Sequence, residues 1–236
     1  MTRPSLSRKI YKRLRKIARI VAWHTVYKLR KYATFPTRQG TFTVLTADNY
    51  VAKSLYCFDQ HEMDWMESVF SFLRKSGRIP AEGKGTVIDI GANNGCSGVA
   101  MLRVNGMARA VAIEPDPRNF ALLERNMLQN RLKDRAICLP YALSSESGEL
   151  QLELSPVNFG DHRIRMEPGK QAEERHGESA RDVISVKTAR LDDLIESIPE
   201  TFSRDIALVW IDVQGHEGFV FRGAKQFLSQ GVITVA

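Results

Sequence analysis

Residues Val87 to Gly95, VIDIGANNG, limit what this chain can fold into more than any other stretch of it. An apolar strand carrying Asp89 near its end runs straight into a turn that holds Gly91 and Gly95, as a buried parallel strand does where it hands over to its covering helix. Nineteen residues past that turn, a second apolar run, Ala110 to Ile113, ends in Glu114. One strand tip exposes main-chain N–H groups, and its neighbour offers a carboxylate able to accept both hydroxyl hydrogens of a ribose. The two tips together predict a cradle for a nucleoside-containing cofactor.

From there strands and helices alternate. Strand Val87–Ile90 leads to a helix near Ser97–Val104, stopped by Asn105-Gly106. Strand Ala110–Ile113 leads to a helix near Pro117–Asn130, with Asp116 as N-cap and Pro117 as a pre-shaped first residue, and strand Ala136–Leu139 follows. Strands apolar on both faces, separated by helices, imply a doubly wound, mainly parallel α/β sheet. Glu149–Leu154 and Val183–Thr188 instead alternate polar and apolar residues, which predicts an inserted antiparallel pair at the sheet's edge, joined by a polar loop, Ser155–Asp182.

A short helix Leu191–Ile198, a buried strand Ile206–Val213, a helix near Phe219–Ser229 and a strand Val232–Val235 close the pattern. A strand with nothing beyond its tip is an unusual native terminus, so the chain is expected to be C-terminally incomplete. Upstream, Met63–Leu73 has the spacing of a helix packed on a sheet, while residues 41–58 read as short strands or an extended lead-in. Three units are therefore expected: a basic helical segment over 1–38, a lead-in over 39–82 and the cofactor-binding domain over 83–236.

The formal charge of +7 is unevenly placed. Residues 1–38 hold 12 of the 34 Lys and Arg and no acid, which leaves the remainder mildly acidic, with 22 basic against 27 acidic side chains. Among those cations, Leu6, Ile10, Leu14, Ile17, Val21 and Thr25 recur at steps of three and four, predicting a basic amphipathic helix over roughly Ser5–Tyr32. Three readings stand for it: a helix lying on an anionic membrane surface, a nucleic-acid contact, or a helix packed on its own or a partner domain.

Arg19 interrupts the only apolar stretch there and no small-residue cleavage site follows, which argues against a signal peptide. No run of about 18 uncharged apolar residues occurs, so no segment reads as a membrane span. Cys57, Cys96 and Cys138 lie far apart without a C-x-x-C pair, which argues against a disulfide framework or a thiolate metal site and for a reducing, cytoplasmic setting.

The spacing in the first turn selects among cofactors. Asn93 stands where the pyrophosphate-binding G-x-G-x-x-G needs its second glycine, and no G-x-x-x-x-G-K-[ST] occurs. A ligand with a nucleoside but no phosphates suits the turn better, and S-adenosylmethionine is such a ligand. Its candidate contacts are Asp89, Gly91, Ala92, Asn93, Gly95 and Glu114. Gly91 allows the tight turn, Gly95 lets the helix start approach the ligand, Asp89 reaches the methionine ammonium directly or through water, and Glu114 takes the ribose. The alternatives are an ordinary strand–helix turn without a ligand and, for Glu114, an acid at a helix N-terminus.

A third tip, Asp212-Val-Gln-Gly-His-Glu217, opens onto the same crevice. Asp212 follows an apolar run, a costly place for a charge unless it is paired or used. Asp212 and His216 are the candidate catalytic groups, able to accept or orient a hydroxyl proton. The plainer alternative is that Asp212 and Glu217 brace the turn and His216 is merely exposed.

Taken in order, VIDIGANNG, AIEPDPRNFALLERNMLQN, TARLDDL and VWIDVQGHEGFVFRGA resemble the FkbM-type family of S-adenosylmethionine-dependent methyltransferases, over about residues 60–235. The resemblance implies a class I methyltransferase (Rossmann-like) fold and O-methylation of a hydroxyl on a sugar, polyketide or similar small molecule. It aligns Asp212, Gly215 and Glu217 with the family's D-x-x-G-x-E turn. It also aligns Asn158-Phe159-Gly160 with an Asn/Gly loop near cofactor and acceptor, which makes Asn158 and Asp212 further cofactor contacts.

The basic N-terminal helix lies outside the resemblance, and the family's final antiparallel strands are missing from the sequence. Two alternatives remain open. An RNA methyltransferase would use the basic segment, although the acidic body and the lack of an N/D-P-P-[YF] motif make nucleic acid a poor partner. A non-catalytic remnant would use it for membrane or partner attachment.

Overall fold

Side-chain alternation along the central strands sets the layering. The computed structural model describes residues 6–165 and 181–236, with side chains from residue 14 onward. The predicted start of the basic helix at Ser5, the side chains of Leu6 and Ile10, and the middle of the 155–182 loop lie outside the described residues.

The chain opens with helix α1 (Leu6–Leu29), a hairpin of β1 (Tyr32–Pro36) and β2 (Thr41–Leu45), and helices α2 (Val51–Phe58) and α3 (Met63–Lys75). The central domain then runs β3 (Lys84–Ile90), α4 (Cys96–Arg103), β4 (Met107–Ile113), α5 (Pro117–Gln129) and β5 (Ala136–Leu139). Strands β6 (Ala142–Leu143), β7 (Gly148–Leu154), β8 (Arg163–Ile164) and β9 (Asp182–Ala189) come next. Helices α6 (Leu191–Ser197) and α7 (Glu200–Ser203), strand β10 (Ile206–Ile211), helices α8 (Glu217–Arg222) and α9 (Lys225–Leu228), and strand β11 (Ile233–Val235) complete it.

Among the described residues the main sheet has the order β11-β10-β3-β4-β5, and every pairing in it is parallel. Winding runs outward from β3 to β5 and then restarts at β10 on β3's other side. The carboxyl ends of β3 and β10 therefore flank the topological switch point, where such sheets bind ligands. Val87, Ala110, Ala112, Leu208 and Trp210 join the core cluster beneath α2 to α5. The intervening Ile88, Ile90, Val111, Ile113, Val209 and Ile211 join the cluster beneath α6, α8 and α9. This period of two is what a parallel strand buried on both faces requires.

Three expectations need correction. Residues 51–58 form a helix rather than a strand. Val51, Ala52 and Leu55 are buried at helical spacing, and the Asp48 carboxylate accepts the N–H groups of Tyr50, Val51 and Ala52 at 2.9, 3.2 and 3.0 Å. The inserted strands β7 and β9 do pair antiparallel, from Gly148↔Thr188 to Leu154↔Asp182. With β6 and β8 they build a separate four-stranded sheet instead of extending the main one.

The single helix predicted near Phe219–Ser229 is broken at Gly223, whose carbonyl accepts the Asp192 N–H at 3.1 Å while the Asp192 carboxylate accepts the Gln226 and Phe227 N–H groups at 3.3 and 2.9 Å and starts α9. Helix α1 covers the expected amphipathic segment, and the side chain that it buries is Trp23, outside the predicted stripe. Trp23 is packed in the same cluster as Phe42, Val51 and Val87, whereas Leu14, Ile17 and Val21 are exposed.

Candidate active site

A pocket lies over the carboxyl ends of β3, β4 and β10, and the three motifs meet there. Its lining includes Gly91, Asn93, Glu114, Asp212 and His216, together with Tyr141, Phe159 and His162.

The first turn is built without side chains where the chains crowd. Gly91 has φ +85°, and an added Cβ would stand 2.0 Å from the Asp212 carbonyl oxygen, so the tips of β3 and β10 close only over a glycine. The N–H groups of Gly91 and Ala92 both donate to the Ile113 carbonyl at 3.0 Å, which locks the turn to β4; Ala92 is fully buried beneath it. Asn93 takes the left-handed conformation (φ +49°), which asparagine tolerates better than most residues, and its side-chain oxygen accepts the Asn94 N–H at 2.6 Å. Gly95 caps α4, but the space left by its missing Cβ is occupied by Leu123 of α5, 2.9 Å from where that Cβ would stand. Its role is helix packing, and it does not line the pocket.

Glu114 is the buried acid of the pocket wall, only 5% exposed. One carboxylate oxygen accepts the Asn93 N–H and the other the Asp116 N–H, both at 2.9 Å, and each keeps a further lone pair. Burial pushes its pKa up to about 8 against the opposing pull of those two N–H groups. Asp89 sits under the turn rather than in the pocket lining. One of its oxygens accepts the Ser97 hydroxyl at 2.7 Å and the other is buried without a partner among the described residues. Burial raises its pKa to about 7, with Asp212 adding to the shift.

At the third tip, β10 ends at Ile211 and the chain turns outward, so Asp212 is exposed at the pocket mouth despite the apolar run before it. Partial desolvation by the pocket wall and then the nearby Glu62 raise its pKa, opposed by a hydrogen bond from Gln214. His216 is buried, contrary to the exposed alternative. Its Nε2 is 3.1 Å from the Ser144 hydroxyl and its ring stacks on Phe219 at 4.5 Å, while Nδ1 has no partner among the described residues. Burial lowers its pKa, which keeps the imidazole neutral. Glu217 braces the turn by accepting the Gly215 N–H at 3.2 Å.

Asn158 shapes the wall from behind. Its side-chain oxygen accepts the Gly160 N–H at 3.1 Å, and Phe159 and Gly160, not Asn158 itself, line the pocket. Sequence reasoning missed His162, which ties this loop to α5: it accepts the Ser155 N–H at Nδ1 (3.0 Å) and meets the Asp116 carboxylate at Nε2 (3.1 Å). Asp116 also caps α5 through the Arg118 N–H, as predicted. A lone histidine in a polar loop carries no readable signal. Tyr141, also in the pocket lining, was missed for the same reason.

The family model described as the methyltransferase FkbM domain matches residues 89–235. Among curated proteins, the chain is 32% identical over 152 residues to the 2-O-methyltransferase NoeI of Sinorhizobium fredii, covering 61% of this chain and 59% of that one. It is 30% identical over 151 residues to the hexuronic acid methyltransferase AglP of Haloferax volcanii, covering 63% and 53%. The chain thus spans little more than half the length of these relatives. A solved methyltransferase FkbM from Methylobacillus flagellatus superposes with a TM-score of 0.43 at 15% identity, over 91% of this chain and 46% of that one. The matched span holds all three strand tips of the pocket, and the chain belongs to the FkbM methyltransferase family.

Proposed function

We propose that this protein transfers a methyl group from S-adenosylmethionine to a hydroxyl oxygen of a sugar or comparable small molecule. One observation carries the reading: three strand tips converge on a pocket whose ionisable lining, among the described residues, is Glu114, Asp212, Tyr141, His162 and His216, with no Lys or Arg. A pyrophosphate would meet no cation there, whereas a positively charged ligand carrying a ribose meets two carboxyl groups.

S-adenosylmethionine, when bound, supplies a methyl group on a cationic sulfur, a leaving group already activated by its charge. The chain's own work is then positioning. Glu114 holds the ribose with the lone pairs its two backbone bonds leave free, and the Gly91–Asn93 backbone forms the adjoining wall. The unpartnered Asp89 oxygen suits a ligand ammonium reached through an ordered water. Asp212 and the neutral His216 are the two groups able to take or orient the acceptor's proton. The names of the two curated relatives, a 2-O-methyltransferase and a hexuronic acid methyltransferase, support a sugar acceptor. Three free cysteines favour a reducing compartment such as the cytoplasm.

Calorimetric titration with S-adenosylmethionine and with NAD separates this reading from a dehydrogenase. Saturable binding of the first supports it, and saturable binding of NAD alone overturns it. Asp212→Asn is expected to lower kcat by about a hundredfold, the size of a lost proton acceptor, with a smaller loss of about tenfold in affinity for the cationic S-adenosylmethionine. If kcat is unchanged in Asp212→Asn and falls in His216→Gln, the proton goes to His216.

Binding should also depend on pH. In the free protein the Glu114 carboxyl is largely protonated below its raised pKa of about 8, and ribose hydroxyls donate to the ionised form. Binding below that pH must expel a proton, so affinity rises by up to about tenfold per pH unit toward pH 8 and levels off above it. Titrations in buffers of differing ionisation enthalpy near pH 7 count the released proton; an affinity that ignores pH contradicts the assignment.

A further inference from the structure

Helix α1 has two apolar faces, and the domain uses only one. On the first, Trp23 is 1% exposed, with its ring 5.3 Å from that of Tyr56, and Ile20 and Val26 pack beside it. Arg19 bonds Asp59 at 3.1 Å and the Lys16 ammonium lies 4.4 Å from the centre of the Phe58 ring, so the helix is fixed to α2 and the turn after it. On the second face, Leu14, Ile17 and Val21 are 61%, 51% and 64% exposed. At about 100° per residue these three lie roughly 120–180° around the helix from Trp23, pointing away from the domain that holds it. The sequence repeats the same spacing upstream at Ile10 and Leu6.

The surroundings of this stripe are one-signed. Residues 1–38 contain 12 cations and no acid. A second copy docking stripe to stripe would bring cations against cations. A nucleic acid would satisfy the cations and leave the stripe in water. An anionic lipid surface answers both needs, since leucine, isoleucine and valine enter the boundary between headgroups and acyl chains while Arg and Lys meet the phosphates. No helix among the described residues is long and apolar enough to cross a membrane, which leaves α1 to lie along one.

We propose that α1 docks this protein on an anionic membrane surface through Leu14, Ile17 and Val21, while Trp23 on the opposite face holds the methyltransferase domain. The proposal goes beyond the reading of the pocket and does not depend on it. Its test is co-sedimentation of the full chain with vesicles of phosphatidylcholine alone, or of phosphatidylcholine mixed with phosphatidylglycerol, for the unaltered protein and for Leu14→Asn/Ile17→Asn/Val21→Asn.

The unaltered protein is expected to partition onto the mixed vesicles, to release with added salt, and to bind neutral vesicles weakly. The triple variant is expected to lose about tenfold or more in partitioning while its melting temperature holds, because the altered side chains already face water. Equal partitioning of variant and unaltered protein overturns the proposal, as does binding that ignores lipid charge. A lack of vesicle binding overturns it too, with RNA retention or variant-sensitive self-association then naming the occupant instead.

Discussion

Replacing Glu114 with alanine is expected to weaken binding of S-adenosylmethionine by about a hundredfold or more. Two hydroxyl hydrogens donated to one carboxylate form charge-assisted bonds worth about 1.5–3 kcal/mol each, so losing both removes roughly two decades of affinity or more. The same change leaves the Asn93 and Asp116 N–H groups without their acceptors in a buried wall, so some loss of stability accompanies it. Calorimetry on the folded fraction, with circular dichroism to measure that fraction, separates the two effects. An alanine variant that binds S-adenosylmethionine as tightly as the unaltered protein removes Glu114 from the site and, with it, the reading of the pocket.

The Gly91→Ala substitution should damage fold and site together. A methyl group there would sit 2.0 Å from the Asp212 carbonyl oxygen, which belongs to the neighbouring backbone and has no side-chain freedom to move aside. Alanine also pays about 1–2 kcal/mol to hold a left-handed conformation such as the +85° observed for φ. Relief of the clash requires β3 and β10 to part at the switch point. The combined cost is about 3–5 kcal/mol, enough to lower the melting temperature by about 10 °C or more and abolish cofactor binding. Gly218 provides the control: it lies in α8 with nothing within 4 Å of an added Cβ, and Gly218→Ala should melt within a few degrees of the unaltered protein. Equal melting of the two variants would show that the tips tolerate separation.

The parallel half of the fold was legible because its strands are apolar on both faces and its turns carry their own chemistry. Asp116-Pro117 announced α5, and Gly91 announced the turn off β3. What the sequence hid was set by tertiary contacts. Residues 51–58 are rich in apolar and aromatic residues and look strand-like locally, yet Asp48 gathers three N–H groups and starts a helix. The break at Gly223 depends on Asp192, which lies outside the helix and bonds both sides of the break.

Within the site, the strand-tip residues Gly91, Asn93, Glu114, Asp212 and His216 were readable because each ends or follows a strand. The positions of Asp89 and Gly95 were not. Position in a motif names a residue but not its surroundings: Asp89 lies under the turn with one oxygen bonded to Ser97, and Leu123 of α5 fills the space beside Gly95. The stripe on α1 was seen, but periodicity alone could not tell that a different face carries Trp23.

The main sheet restarts its winding at β10, and this orders the assembly of the pocket in time. The wall made by Gly91, Asn93 and Glu114 comes from consecutive strands joined by one helix, so loop closure is short and this wall can form as soon as β5 has been synthesised. Asp212 and His216 arrive on a strand that must find β3 across more than a hundred intervening residues and the whole inserted sheet. The Glu114 wall is therefore expected to form before the Asp212 wall, and the pocket to close only when β10 docks on β3. Refolding should accordingly be paced by the late closure of β10, and ligand added early should change its rate less than it changes the stability of the half already built.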